Sequence, residues 1–209
     1  MAVTDISICS AALQLLGDDS ISSFSGSDRA LRCGAIYPLL KLGILAQFDW
    51  NFTKKKAQLT QNSTAPISKW TYSYALPPDR LDDRVIAAFD TNAIGAAALT
   101  SSQFEIHTGV LLTDAATVYV DYQGDPASEN VWPSYFVWFM IKAMEVALTF
   151  PTTDQASQQS ELYQQVYGTK AENGVGGLYA VTRARNSGGN PTPAFTNFSL
   201  IDARYEGIN

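Results

Sequence analysis

His107, the single histidine of the chain, stands two residues after Glu105 and ahead of Asp114 and Asp121. An imidazole beside a carboxylate can act as a general base, and two carboxylates across a cleft can hydrolyse a glycosidic bond. Glu105, Asp114 and Asp121 are therefore the residues that a glycan or cell-wall hydrolase would draw on. The local sequence argues for a plainer role. His107-Thr108-Gly109 reads as a hairpin turn in which Gly109 supplies a positive φ, so His107 is expected in solvent. No GxSxG, HExxH, P-loop or dinucleotide fingerprint occurs. No catalytic residue is assigned, and the protein is not expected to be an enzyme.

Three other clusters invite chemistry. Asp79, Asp82 and Asp83 follow Pro77-Pro78, but their spacing lacks the alternating oxygens and closing glutamate of an EF-hand loop, and Arg80 and Arg84 are interleaved with them. A salt-linked turn is expected there, with no metal. Lys54-Lys55-Lys56 is the only basic run. In a strand it would alternate faces and form no single patch for single-stranded nucleic acid. The stretch "ENGVGGLY", residues 172–179, lacks the Lys-Ser/Thr ending of a phosphate loop and reads as a helix stop. No cofactor is expected.

Trp70, Tyr72, Tyr74 and Leu76 alternate with Thr71, Ser73 and Ala75, which places the four large residues on one face of a strand. Such a row could stack sugars in a carbohydrate-binding module. In a small β lobe with few other large residues, that face is more simply the core, with the tyrosine hydroxyls reaching the rim. Pro77-Pro78 ends the pairing because neither residue donates an amide hydrogen.

These residues need elements to position them. With 209 residues, 46% hydrophobic and 16% charged, the chain can bury a real core as one domain or two small ones. The low charged share leaves apolar and neutral area to cover, and subunit contacts are one way to cover it. A net charge of −6 gives no general attraction to nucleic acid. Cys9 and Cys33 lie in helical segments without CxxC or metal spacing and are expected as buried, reduced thiols. The start "MAVTDISICS" carries an acid where a secretion signal needs a base. The most apolar run, "YFVWFMIKAMEVALTF", is broken by Lys142 and Glu145, so no membrane insertion is expected.

Helical spacing predicts a first helix capped by Thr4 or Asp5, with Ile6, Cys9, Leu13 and Leu16 buried and Gly17 at its end. Ser27-Asp28 opens a second, running to about Phe48 with Leu31, Ile36, Leu40, Ile44 and Phe48 as its buried stripe and a kink or break at Pro38. Period-two segments then fill residues 52–127 and predict a small antiparallel sheet or barrel, while "TNAIGAAALTSS" reads as a loop. A third helix starts near Pro133 and stops at Phe150-Pro151. Tyr135 to Ile141 are apolar on every side, so this helix is buried all round, within one subunit or between subunits. Tyr135, Trp138, Phe139 and Ile141 are taken as a subunit interface. A fourth helix, capped within 152–154, turns Ala156, Leu162, Val166 and Tyr163 inward and ends at Gly174, Gly176 and Gly177.

The resulting fold class is α+β. Helices from residues 1–51 and 131–180 form one bundle domain, residues 52–130 an inserted small antiparallel β domain, a sandwich or barrel, and residues 181–209 an extended C-terminal arm. From Asn186 the chain is Gly-, Pro- and Asn-rich. Phe195, Phe198, Leu200, Ile201 and Tyr205 then return as spaced anchors suited to docking on a partner or a neighbouring subunit.

Over residues 4–180 the chain resembles the bacteriophage head-to-tail adaptors of the tail tubular protein A type. The resemblance is carried by "DISICSAALQLLGDDSISSF", by "LRCGAIYPLLKLGILAQFDWNFTKKKAQL", by "WTYSYALPPDRL", and by "FEIHTGVLLTD" followed by "VYVDY", in that order. It implies a virion structural protein in the phage neck, assembled in the bacterial host cytoplasm. Such adaptors form a dodecameric ring with their own copies, bind the portal protein at one end and the tail nozzle or next tail ring at the other, and pass DNA through the channel as cargo. The resemblance transfers no catalytic residue.

Overall fold

The computed structural model describes residues 2–153 and 156–189. It is an α+β structure of five α-helices and two three-stranded antiparallel sheets. The arm anchors Phe195, Phe198, Leu200, Ile201 and Tyr205 lie outside the described residues.

Helix α1 (Asp5–Leu15) is set by a capping box: Thr4 Oγ1 accepts from the Ser7 amide at 3.1 Å and Ser7 Oγ accepts from the Thr4 amide at 2.8 Å. Ile8, Cys9, Ala12 and Leu13 are buried. Helix α2 (Asp28–Gln47) is capped by Ser27 and runs unbroken through Pro38. Its buried face is Ala30, Cys33, Tyr37, Ile44 and Leu45. Leu31, expected inside, points outward. The face that packs is the one with small Ala30 and Cys33, which let the helix approach its neighbours closely.

Strands β1 (Lys54–Gln58), β6 (Tyr119–Gly124) and β3 (Arg80–Phe89) form one sheet in that order, and β2 (Tyr72–Ala75), β5 (Val110–Thr113) and β4 (Phe104–His107) form the other. Tyr74, Leu76 and Leu111 meet Ala88, Val118, Val120 and Tyr122 in one apolar cluster, so the two sheets face each other. β4 and β5 are joined by a two-residue turn, Thr108 at φ 50° and Gly109 at φ 76°. Positive φ at both positions matches the right-handed twist of the strands. β3 starts at Arg80, one residue after the prolines, and is bulged around Val85. Asp82 and Asp83 are therefore strand residues, not a turn.

Helix α3 (Ser134–Thr153) extends past the expected stop at Phe150-Pro151 and contacts α1, α2, α4 (Ala156–Tyr167) and α5 (Gly177–Gly188). That central position explains why it is apolar on every side: the neighbours are other helices of the same chain. Phe139 is 0% exposed and stacks on Tyr179 at 5.3 Å. Its expected place at a subunit interface is corrected accordingly. Tyr135 and Ile141 pack half-buried against the same core, and only Trp138, 48% exposed, faces outward.

The glycines predict a helix stop at Gly176-Gly177 and an arm from residue 181, but the structure has helix α5 there. Residues 181–188 are helical, and Tyr179, Thr182 and Asn186 are buried. Gly177 opens the helix at φ 54°, and a Cβ there would lie 2.5 Å from the Gln165 carbonyl. The glycine is required by a close backbone approach between α4 and α5. Trp50 sits where the helices hand over to the strands. It is fully buried, donates Nε1 to the Ile44 carbonyl at 3.0 Å, and packs its ring against Phe48, Phe52 and Phe136.

Candidate interaction surface

The chemistry-bearing side chains are engaged in local pairs. His107, the last residue of β4, is exposed, with Nε2 3.5 Å from Glu105 Oε2. Glu105 also takes Lys69 Nζ at 2.6 Å. The Lys69 hydrogen bond, followed by Trp70 and then His107, holds the Glu105 carboxyl down at about 2. Asp114 accepts from the Thr71 hydroxyl at 2.7 Å and the Thr71 amide at 2.8 Å, and these bonds lower its pKa as well. Both shifts run opposite to the raised value that a glycosidase acid needs to stay protonated. Asp121 lies on β6 in the other sheet and pairs with Lys56 at 3.0 Å. The three carboxylates are thus committed to three different partners.

The Asp79–Asp83 cluster is likewise salt-linked. Asp79 takes Lys55 Nζ at 2.6 Å and the Tyr122 hydroxyl at 2.9 Å, and the lysine bond leads in keeping its pKa low. Tyr122 is pushed up to about 12, first by burial and then by Asp79. Asp83 pairs with Arg80 at 2.7 Å, and Arg84 reaches both Asp82 and Asp49. Among the described residues no three His, Cys, Asp or Glu side chains come together as metal ligands. Lys55 and Lys56 are both spent on carboxylates, which leaves little of the basic run.

In the aromatic row, Tyr74 and Leu76 are buried in the apolar cluster between the sheets and Tyr72 packs half-buried against it. Trp70 is 8% exposed, outside that cluster, with Lys69 Nζ 4.7 Å from its ring centre. Tyr74 donates its hydroxyl to the Ala115 carbonyl at 2.8 Å. Rings covered in this way offer little face for stacking a sugar.

One uncommitted patch of the surface is apolar. On α2, Leu31 is 59% exposed and Leu39 75%, with Leu42, Ala35 and Pro38 also exposed. At 100° per residue these five positions fall on one stripe of the helix. The five side chains are uncharged, Asp28 lies on the same face at the start of the helix and Arg32 at its edge, and no other element of the described chain covers the stripe. Beyond Leu39 it runs into an open groove of about 670 Å³ between α2, α4 and α5. At the far end of the sheets, the loops 59–71 and 90–103 both leave opposite Tyr119 and carry the fully exposed Ile67 and Ile94.

Comparison with protein-family models finds no match to this chain, and comparison with curated proteins finds none either. Among the described residues no helix is long and apolar enough to cross a membrane. Sequence reasoning missed the α2 stripe because it assigned the large leucines to the core. The signal that could have found it is the run Leu31, Ala35, Pro38, Leu39 and Leu42, which continues at helical spacing on the side opposite Cys33 and Tyr37.

Proposed function

We propose that the protein is a virion structural protein, a head-to-tail adaptor without a catalytic step. In this reading copies close a dodecameric ring between the portal and the tail nozzle or tail tube, and the ring extends the DNA channel for genome retention and ejection. Helices from both ends of the chain form the ring body as a bundle domain, and the two sheets form an inserted β lobe. The C-terminal arm engages the portal or a neighbouring adaptor.

The observation that carries the reading is the uncovered apolar stripe of α2. A ring former needs a surface that is stable in the folded monomer yet gains by being buried against a neighbour. Leu31, Leu39 and Leu42 meet that need, and Trp138 supplies an aromatic anchor of the kind that dominates interfaces. The net charge of −6 suits a channel that passes DNA without holding its phosphates. Ring closure that depends on partner surfaces also implies that the isolated protein assembles poorly. The test is light scattering after size exclusion, with and without purified portal. The reading expects a monomer alone and a multi-copy complex with portal, and a monomer in both samples contradicts it.

A further inference from the structure

We propose that the groove between α2, α4 and α5 takes the 90–103 loop of a second copy, with Ile94 as the anchor and Asp90 against Arg183. The inference deepens the adaptor reading and rests on it: it names the face that a neighbour turns toward α2.

The groove is lined by Leu39 and Gln47 of α2, Tyr163 of α4, Val175, and Tyr179 and Arg183 of α5, among others. Leu39, Tyr163 and Val175 are exposed, so an apolar seat stands open on the described surface. Tyr163, Tyr167 and Tyr179 form an aromatic wall, with ring centres 5.0 Å and 6.4 Å apart. Arg183 is the only charged residue of the lining, and among the described residues no carboxylate forms an ion pair with it. An occupant should bring an apolar anchor and an acid, and an occupant that reaches Leu39 also covers the α2 stripe.

The 90–103 loop presents both. Asp90 is its only charged residue, exposed and without an ion pair among the described residues. Four positions on, Ile94 stands at the apex of a turn closed by the Ala96 amide donating to the Ala93 carbonyl at 3.2 Å, with Gly95 at φ 79°. Ile94 is fully exposed among alanines, threonine and glycine, so nothing of its own chain claims it. The other exposed loop fits less well: residues 59–71 hold Ile67 beside Lys69 and contain no acid, so they would set a cation against Arg183.

The occupant must come from another copy. β6 carries the chain from Tyr119, beside the loop, to Gly124, near the helices, a rise of roughly 17 Å. The Leu99 amide donates to the Ala88 carbonyl at 2.7 Å and Leu99 packs on the sheet core, which pins the loop at the far end of the sheets. Its tip therefore cannot fold back onto the bundle of its own chain. Groove and loop are different surfaces of one molecule, so their contact is head-to-tail, the kind that closes rings.

The test is disulfide trapping between full-length copies. Gln47→Cys in the groove is combined with Ala93→Cys beside the anchor, and the control combines Gln47→Cys with Ala65→Cys on the other loop. Native Cys9 and Cys33 are both buried, so they do not compete. Under mild oxidation the groove pair should give a ladder of cross-linked multimers at least about ten-fold faster than the control, because only juxtaposed backbones can be bridged. Asp90→Arg or Arg183→Glu alone should slow the ladder, and the two together should restore it. Equal rates for the two pairs, or charge reversals without effect, overturn the proposal. Closure of the groove pair within a monomer also overturns it, because the occupant is then the chain's own loop. If such a failure occurs while the parent chain still assembles with portal, this contact is wrong and the adaptor reading stands; a parent chain that stays monomeric with portal counts against the reading itself.

Discussion

Asn51 and Asn186, 135 positions apart, hold each other through two hydrogen bonds: Asn51 Nδ2 donates to the Asn186 carbonyl at 2.6 Å, and the Asn51 amide donates to Asn186 Oδ1 at 2.9 Å. Asn186 Nδ2 also donates to the Asp49 carbonyl, and Tyr135 donates its hydroxyl to Asn186 Oδ1. A residue that reads as the start of a polar linker is thus the clamp that fixes α5 to the turn after α2. Asn186→Ala leaves the Asn51 amide without its acceptor and should cost about 2–3 kcal/mol. In a thermal melt that corresponds to a drop of roughly 5–10 °C. A chain ending at Arg185 should melt below one ending at Gly189, which keeps the clamp.

Gly177→Ala should be at least as damaging as a surface cavity. The new Cβ meets the Gln165 carbonyl at 2.5 Å, and φ is 54°. The expected cost is about 2 kcal/mol, read as a lower urea midpoint with the slope unchanged. Gly43→Ala is the contrasting case. It lies inside α2 with nothing within 4 Å of the added Cβ, and it should be neutral or stabilise by up to ~1 kcal/mol.

The α2 stripe should separate assembly from stability. Leu39→Asp and Leu42→Asp alter exposed positions, so urea midpoints should correspond to changes within about 0.5 kcal/mol. Assembly with portal should be lost, because a carboxylate in a buried interface remains unpaired. Loss of folding in both variants would show that the stripe is part of the monomer core.

Glu105 sets an acid limb in the stability profile. Its folded value of about 2 lies below the ordinary 4.5, so the folded state favours the carboxylate. The contribution is fully present above 4.5, and it is lost as pH falls from there through about 2. Urea midpoints of Glu105→Gln should therefore decline less steeply across that window than those of the parent chain. Parallel declines would mean that the Lys69 pair carries no linkage.

Much of this architecture can be read from the chain. The Thr4-x-x-Ser7 cap, the Thr108-Gly109 turn and the apolar run of α3 each carry a local signal strong enough to survive folding. Helix α5 is hidden because Thr182 and Asn186, two of its buried positions, are polar: Thr182 donates to the Leu178 carbonyl one turn back, and Asn186 is satisfied by the distant Asp49 and Asn51. A hydrophobic period cannot show them. The orientation of α2 is hidden for a related reason: Ala30 and Cys33 pack inside because they are small, which size-based assignment of a core face overlooks. The sequence leaves a sandwich and a barrel both open for the β segments, because strand order depends on non-local pairing, such as Arg80 with Gly124. The interaction surface was legible only in part. The sequence drew attention to α3, where Phe139 is consumed by the fold, and away from α2, where Leu39 is left over.

The central claim is that this chain closes rings on a portal through the α2 stripe. Negative-stain imaging of the protein mixed with purified portal tests it most directly. Rings with a central hole, stacked on the portal and absent with Leu39→Asp, are the expected result. Portals that remain bare at saturating protein, with the wild-type chain folded and monomeric beside them, would contradict it.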